Sequence, residues 1–146
     1  MLIGISAQLP PDLLHALASM GHGDELVIAD ANFPAAKLAR RLVQTTADST
    51  TRLSTAVLGV LPLDEFVAAP LTLMAPARPQ DSAAPALADL SAVLASHGKI
   101  EQIDRNAFYE RAAEAFAIVR TSDARPYANV ILRKGVIALN ASGYVA

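Results

Sequence analysis

The sequence predicts one α/β domain in which helices and strands alternate along the chain. Three observations carry that reading. Short apolar runs of strand length recur, such as Glu25–Asp30 and Leu71–Ala75. Between them lie segments with apolar residues at helical spacing, such as Leu13, Leu14, Leu17 and Met20. No repeat or linker divides the chain, so residues 1–146 are expected to form a single layered domain.

The elements follow in order. Pro10-Pro11-Asp12 opens the first helix, because Pro is tolerated in a first turn and an acidic side chain suits the positive end of the dipole. Gly21 is its natural stop. Glu25–Asp30 is a buried strand bounded by charges. Phe33-Pro34 opens a helix carrying Leu38, Leu42 and Val43, and Leu53–Val60 is a third helix, ended by Pro62. Leu71–Ala75 is a strand, and residues 76–85 form a Pro-rich loop. Leu87, Leu90, Val93 and Leu94 make a helical stripe that ends near Gly98. Ile100–Ile103 is a strand, Asn106–Ala113 a helix, and Phe116–Arg120 and Tyr127–Leu132 are strands. Gly135 turns the chain into a last strand, Val136–Leu139.

Composition narrows the function. The chain has 146 residues, 53% of them hydrophobic and 18% charged, which is apolar for so small a domain. Such an excess asks for burial between subunits, so a homo-oligomer is expected. A net charge of −2 argues against nucleic-acid binding. The absence of cysteine excludes disulfides and thiolate chemistry and fits a reducing, cytoplasmic compartment. The opening residues MLIGISAQLPPD lack the features of a signal peptide, and no run is long and apolar enough to span a membrane. Asn140-Ala-Ser142 matches a glycosylation sequon and, without an export signal, reads as chance.

Two clusters carry chemistry. In MGHGDELVIADANFPA, residues 20–35, His22 sits just past a helix end, where unpaired carbonyls favour a protonated ring. Histidine is the side chain best suited to moving protons near neutral pH, and Asp24 stands two residues away to orient it. Asp30 ends a strand, the edge that faces the ligand crevice in open α/β sheets. The same segment also reads as a plain polar turn. His15 and His97 read as structural, and three scattered histidines without a metal-spacing motif imply no metal site. Phosphate-loop, dinucleotide-binding and serine-hydrolase motifs are absent. In the second cluster, Arg105 stands at a strand-to-helix junction with a fork of donors suited to hydroxyls and carboxylates. Tyr127 and Asn129 alternate on a strand and so share a face; they suit a polyhydroxylated ligand, or equally a polar strand edge. Phe108, Tyr109 and Phe116 read as core.

MGHGDELVIADANFPA, RNAFYERAAEAFAIV and YANVILRKGV, in that order, resemble the RbsD/FucU family of sugar mutarotases and pyranases from about Leu2 to Val136. The resemblance implies an RbsD-like fold and a cofactor-free, metal-free isomerase acting on a monosaccharide. It implies a ring-shaped assembly, commonly a decamer, with sites at subunit boundaries. It assigns the proton donor to His22, and sugar contacts to Asp30, Arg105, Tyr127, Ala128 and Asn129, with the Tyr-x-Asn strand coming from a neighbouring chain. GHGD and FYER are of the fucose-acting type, whereas ribose-acting members tend to carry GHTD. Asn32 and Ala128 depart from some fucose-acting members, which have His and Gly there, and the extra methyl at 128 is expected to narrow the pocket. Ribose pyranose/furanose exchange and non-catalytic sugar binding are the rival readings.

Overall fold

The computed structural model describes residues 2–139 and 141–143. The strands are β1 (Glu25–Ala29), β2 (Leu42–Gln44), β3 (Leu71–Met74), β4 (Ile100–Ile103), β5 (Ala117–Arg120) and β6 (Val130–Arg133). The helices are α1 (Pro11–Ser19), α2 (Ala35–Leu38), α3 (Thr50–Leu58), α4 (Pro85–Leu94) and α5 (Arg105–Glu114). One sheet has the order β2-β5-β1-β6-β3-β4. The pairs β1–β5, β2–β5 and β3–β4 are parallel, while β6 is antiparallel to both β1 and β3. β6 therefore runs against the other five.

The central strands are largely apolar, with β1, β3 and β6 carrying only Glu25, Thr72 and Arg133 as polar residues, because both faces are covered. Successive side chains point to opposite faces. Leu26, Ile28, Val130 and Leu132 join the side packed by α1, α3 and α4, through Leu13, Leu53 and Leu90. Val27, Ala29 and Ile131 join the other side, with Phe33 and with Phe108 and Ala112 of α5. Ser49 caps α3 by accepting from the Arg52 N–H, and Asp104 caps α5 by accepting from the N–H groups of Asn106 and Ala107.

Several expectations need correction. The helix expected from Phe33 to Val43 stops at Leu38, and Leu42–Gln44 pairs as a strand along β5. A three-residue strand is too short to show a period. The 76–85 loop contains one turn of 3₁₀ helix, Pro79–Asp81, and α4 begins with Pro85 at its first position. Tyr127 lies outside any strand. Its φ is +63°, a left-handed conformation, so the chain turns there and β6 starts at Val130. Residues 135–138 form no strand. The sequon residue Asn140 lies outside the described residues. Phe116 is half-buried, with the Arg41 guanidinium 4.1 Å above its ring, while Phe108 is fully buried as expected.

The strand directions set the two ends of the molecule. Asp30, Arg105 and the segment after Met74 follow the carboxyl ends of parallel strands, and Tyr127 and Asn129 precede the opposed β6, so all meet at one edge. At the other edge lie the turn before β1, with His22, and the end of β6, which bridges to Leu63 through Lys134. That bridge needs a glycine next to it: a Cβ on Gly135 would stand 2.2 Å from the Leu63 carbonyl oxygen and 2.8 Å from Asp64 Cα. We expect Gly135→Ala to destabilise the fold by about 1–3 kcal/mol, the scale of overpacking. Thermal denaturation checks this: an unchanged midpoint would mean that the 63–64 segment moves aside freely.

Candidate functional site

At the carboxyl edge the backbone N–H of Asp30 donates to Asn129 Oδ1 at 3.0 Å, and Asn129 Nδ2 donates to Asp30 Oδ2 at 2.8 Å. The Asn32 N–H donates to Asp30 Oδ1 at 2.9 Å. The side-chain pair thus continues the β1–β6 ladder one step beyond its last backbone rung. Both residues are buried, yet both line a cavity of about 250 Å³. Arg105, Tyr109, Tyr127, Arg78 and Asp81 also line it, with Asn32, Phe33 and Met74 among its other walls. Arg105 is exposed at the start of α5 and has no hydrogen-bond or ion-pair partner among the described residues. Its five N–H donors are free for a ligand.

Burial pushes the Asp30 carboxyl above the usual aspartate range, although the bonds from Asn129, Asn32 and Phe33 pull the other way. The carboxyl keeps lone pairs for an incoming hydroxyl, and Asn129 keeps one N–H and one lone pair. Acceptor, mixed donor-acceptor and donor fork therefore converge on one small space, which suits a compact ligand rich in hydroxyls.

His22 is elsewhere. It crowns the turn between α1 and β1, where Gly23 takes φ +85° and the Asp24 carboxylate accepts from the Gly21 N–H at 2.7 Å. Lys134 locks the turn: its carbonyl accepts from the Gly23 N–H, its N–H donates to the Asp24 carbonyl, and its Nζ donates to the Leu17 carbonyl at the end of α1. Asp24 therefore closes the turn and is not the carboxylate that meets the ring. That carboxylate is Asp64, whose Oδ1 lies 3.2 Å from His22 Nε2. Asp64 is buried, accepts from the Phe66 N–H and from Arg133 Nε at 3.0 Å, and is held below the usual carboxylate range, by the Phe66 bond first and then, against burial, by His22 and Arg133. The His22 side chain is 46% exposed, with the Phe66 ring edge-on at 5.6 Å. It borders an apolar cavity of about 520 Å³ lined by Leu14, Leu17, Val60 and Ile137 among others.

The expected residues thus fall into two groups. Asp30, Arg105, Tyr127 and Asn129 come together within one chain, whereas His22 stands at the opposite end of β1, a strand roughly 17 Å long. His22, Asp24 and Asp30 do not converge, and among the described residues no cluster of His, Asp and Glu could hold a metal. Ala128 is fully buried and outside the cavity lining; the departure that borders the cavity is Asn32. His15 and His97 are exposed. Sequence reasoning passed over Asp64, Arg78 and Asp81. For Asp64 no local signal exists, since its partners lie 42 and 69 positions away. Arg78 and Asp81 had a faint one, opposite charges three apart in a Pro-rich loop. Tyr109, read as core, packs edge-on against Phe33 and faces the cavity as well.

Fold and site together define an α/β protein with a small polar cavity at the carboxyl edge of its sheet. Residues 3–137 match the RbsD / FucU transport protein family, and the chain belongs to it. It is 41% identical over 141 residues to an L-fucose mutarotase of Histophilus somni, covering 93% of this chain and 97% of that one. It is 43% identical over 147 residues to the fucose mutarotase of Homo sapiens, covering 94% and 95%. The crystal structure of the fucose mutarotase from Streptococcus pneumoniae in complex with L-fucose superposes with a TM-score of 0.87 at 36% identity, covering 94% and 100%.

The raised Asp30 carboxyl has a testable sign. As pH falls, Asp30 should take up its proton before Asp64 does, and with the proton it loses acceptor capacity for a ligand hydroxyl. Carbon-13 NMR titration should therefore place Asp30 above the usual aspartate range and Asp64 below it. The reverse order would contradict the burial argument.

Proposed function

We propose that this protein is a cofactor-free isomerase that interconverts the α and β anomers of L-fucose. The observation that carries the reading is the carboxyl-edge cavity, where Asp30, Asn129 and Arg105 offer acceptor and donors matched to a polyhydroxylated ring. Support comes from the fucose-acting relatives and from the neighbour crystallised with L-fucose. Anomer exchange needs the ring to open and close again. A proton reaches the ring oxygen as its bond to the anomeric carbon breaks, and a proton leaves the anomeric hydroxyl, whose oxygen becomes the aldehyde carbonyl. Closure on the other face of that carbonyl reverses both transfers. His22 supplies the acid-base group, Asp64 orients it, and Asp30, Arg105, Tyr127 and Asn129 hold the sugar. General acid-base catalysis of this kind contributes about 10²–10⁴-fold per positioned group.

His22 cannot meet the cavity of its own chain across the length of β1, so the reading requires His22 from a neighbouring copy. The edge that carries it suits burial: Phe66 is 78% exposed, and Val136 and Ile137 are more than half exposed beside it. The ring-shaped decamer of the family resemblance supplies such boundaries, and a reducing, cytoplasmic setting accords with a chain without cysteine.

Saturation-transfer NMR of L-fucose anomers tests the activity, with faster exchange expected in the presence of the protein. Sugar binding without faster exchange would make it a binding protein instead. The shared site has its own test. His22→Ala and Asn129→Ala subunits should each be nearly inactive, yet regain part of the activity when unfolded and refolded together. Mixed rings without recovery would place each whole site within one chain.

A further inference from the structure

The segment after β3 borders the cavity through Arg78 and Asp81, which the proposed reaction leaves unused, and Tyr127 ties it there. Tyr127 reaches it with its hydroxyl, which donates to Asp81 Oδ2 at 2.9 Å and accepts from the Ala77 N–H at 3.1 Å. That hydroxyl is therefore occupied by the chain on both its donor and one acceptor side. Asp81 in turn grips Arg78 with both oxygens: Nε donates to Oδ2 at 2.9 Å and Nη2 to Oδ1 at 3.1 Å. A two-point pair of this kind fixes the plane of the guanidinium as well as its position. Arg78 borders the cavity beside Arg105 and Asp30. Two of its five N–H groups are committed to Asp81, and three remain. Among the other lining residues, the buried Asp30 supplies an acceptor and the exposed Arg105 supplies donors. A second oriented guanidinium in that lining is placed to donate to sugar oxygens.

We propose that Arg78 is a substrate-binding, specificity-determining residue of this cavity, held in place by Asp81, which Tyr127 anchors to the start of β6. The inference rests on the reading that the cavity holds a monosaccharide. It gives Tyr127 a role different from direct sugar contact through its hydroxyl: the left-handed turn at Tyr127 aims the ring at the 77–81 segment and makes it the post to which that segment is tied. Arg78 touches the substrate in the ground state and in the ring-opened state alike, because hydroxyls away from the anomeric carbon do not change in the reaction. Removing it should therefore raise KM and leave kcat nearly constant.

The experiment is NMR anomer exchange with L-fucose and its monodeoxy analogues, run on wild type, Arg78→Ala, Arg78→Lys and Asp81→Asn. Arg78 is two-thirds exposed, so its variants should fold, and thermal melts check that they do. Arg78→Ala should raise KM for L-fucose roughly tenfold, the scale of one charge-assisted hydrogen bond partly screened by water, with kcat within about twofold. Arg78→Lys and Asp81→Asn should fall between, since each keeps a cation but loses the fixed fork. For one deoxy sugar, the one lacking the hydroxyl that Arg78 holds, wild type and Arg78→Ala should have equal KM. Wild-type KM for L-fucose in Arg78→Ala overturns the proposal, as does a rise of the same size for every deoxy sugar. Failure of wild type to speed exchange of any sugar would sink the proposed reaction itself, and this inference with it. Exchange by wild type with Arg78→Ala unchanged sinks only the role of Arg78.

Discussion

The antiparallel pairing of β6 with β1 is the constraint on which the rest depends. β6 enters the sheet between β1 and β3 against the direction of every other strand. Its first end therefore delivers Asn129 and Tyr127 to the edge where the parallel strands finish. Its last end delivers Arg133 and Lys134 to the edge where they begin. Asn129 closes on Asp30, Arg133 on Asp64, and Lys134 on the His22 turn. One four-residue strand thus positions side chains at both edges of the sheet. Its register is secured because side chains alternate between two buried faces, and a slip of one residue would exchange Val130 and Leu132 with Ile131 between two different cores.

The two buried carboxylates show how environment divides the work. Asp30 is desolvated among neutral donors, which raises its carboxyl. Asp64 is also little exposed, but the Phe66 N–H, His22 and Arg133 all donate to it, and its carboxyl is held below the usual range. The one held low sits against the histidine and the other borders the ligand cavity. Arg133 lies 3.6 Å from Glu25, and Arg111 links Glu25 to Glu101, so the charge behind His22 continues into an ion-pair network along the amino edge. Such a network resists movement of the His22 turn.

Much of this was legible in the chain and some was not. The buried strands announced themselves as short apolar runs, and the placement of Asp30 and Arg105 at strand ends followed from α/β geometry alone. The matched blocks around His22, FYER and Tyr127–Asn129 pointed to the family. What stayed hidden depends on contacts distant in sequence. Nothing near Asp64 indicates that His22 will meet it. The direction of β6 is a property of the whole sheet, so nothing local showed that Asn129 would join Asp30 while Lys134 joins the His22 turn. Tyr127 looked like a strand residue because its left-handed turn uses no glycine or asparagine, the residues that normally signal one.

The central claim is that the reacting group and the sugar-binding cavity come from different copies of one chain. A crystal structure of the assembled protein with L-fucose bound tests it most directly. The account predicts the sugar against Asp30, Arg105 and Asn129 of one copy, with a ring nitrogen of the neighbouring copy's His22 within about 3.2 Å of the ring oxygen or the anomeric hydroxyl. A sugar bound by one chain alone, with no His22 from another copy within reach, would contradict it.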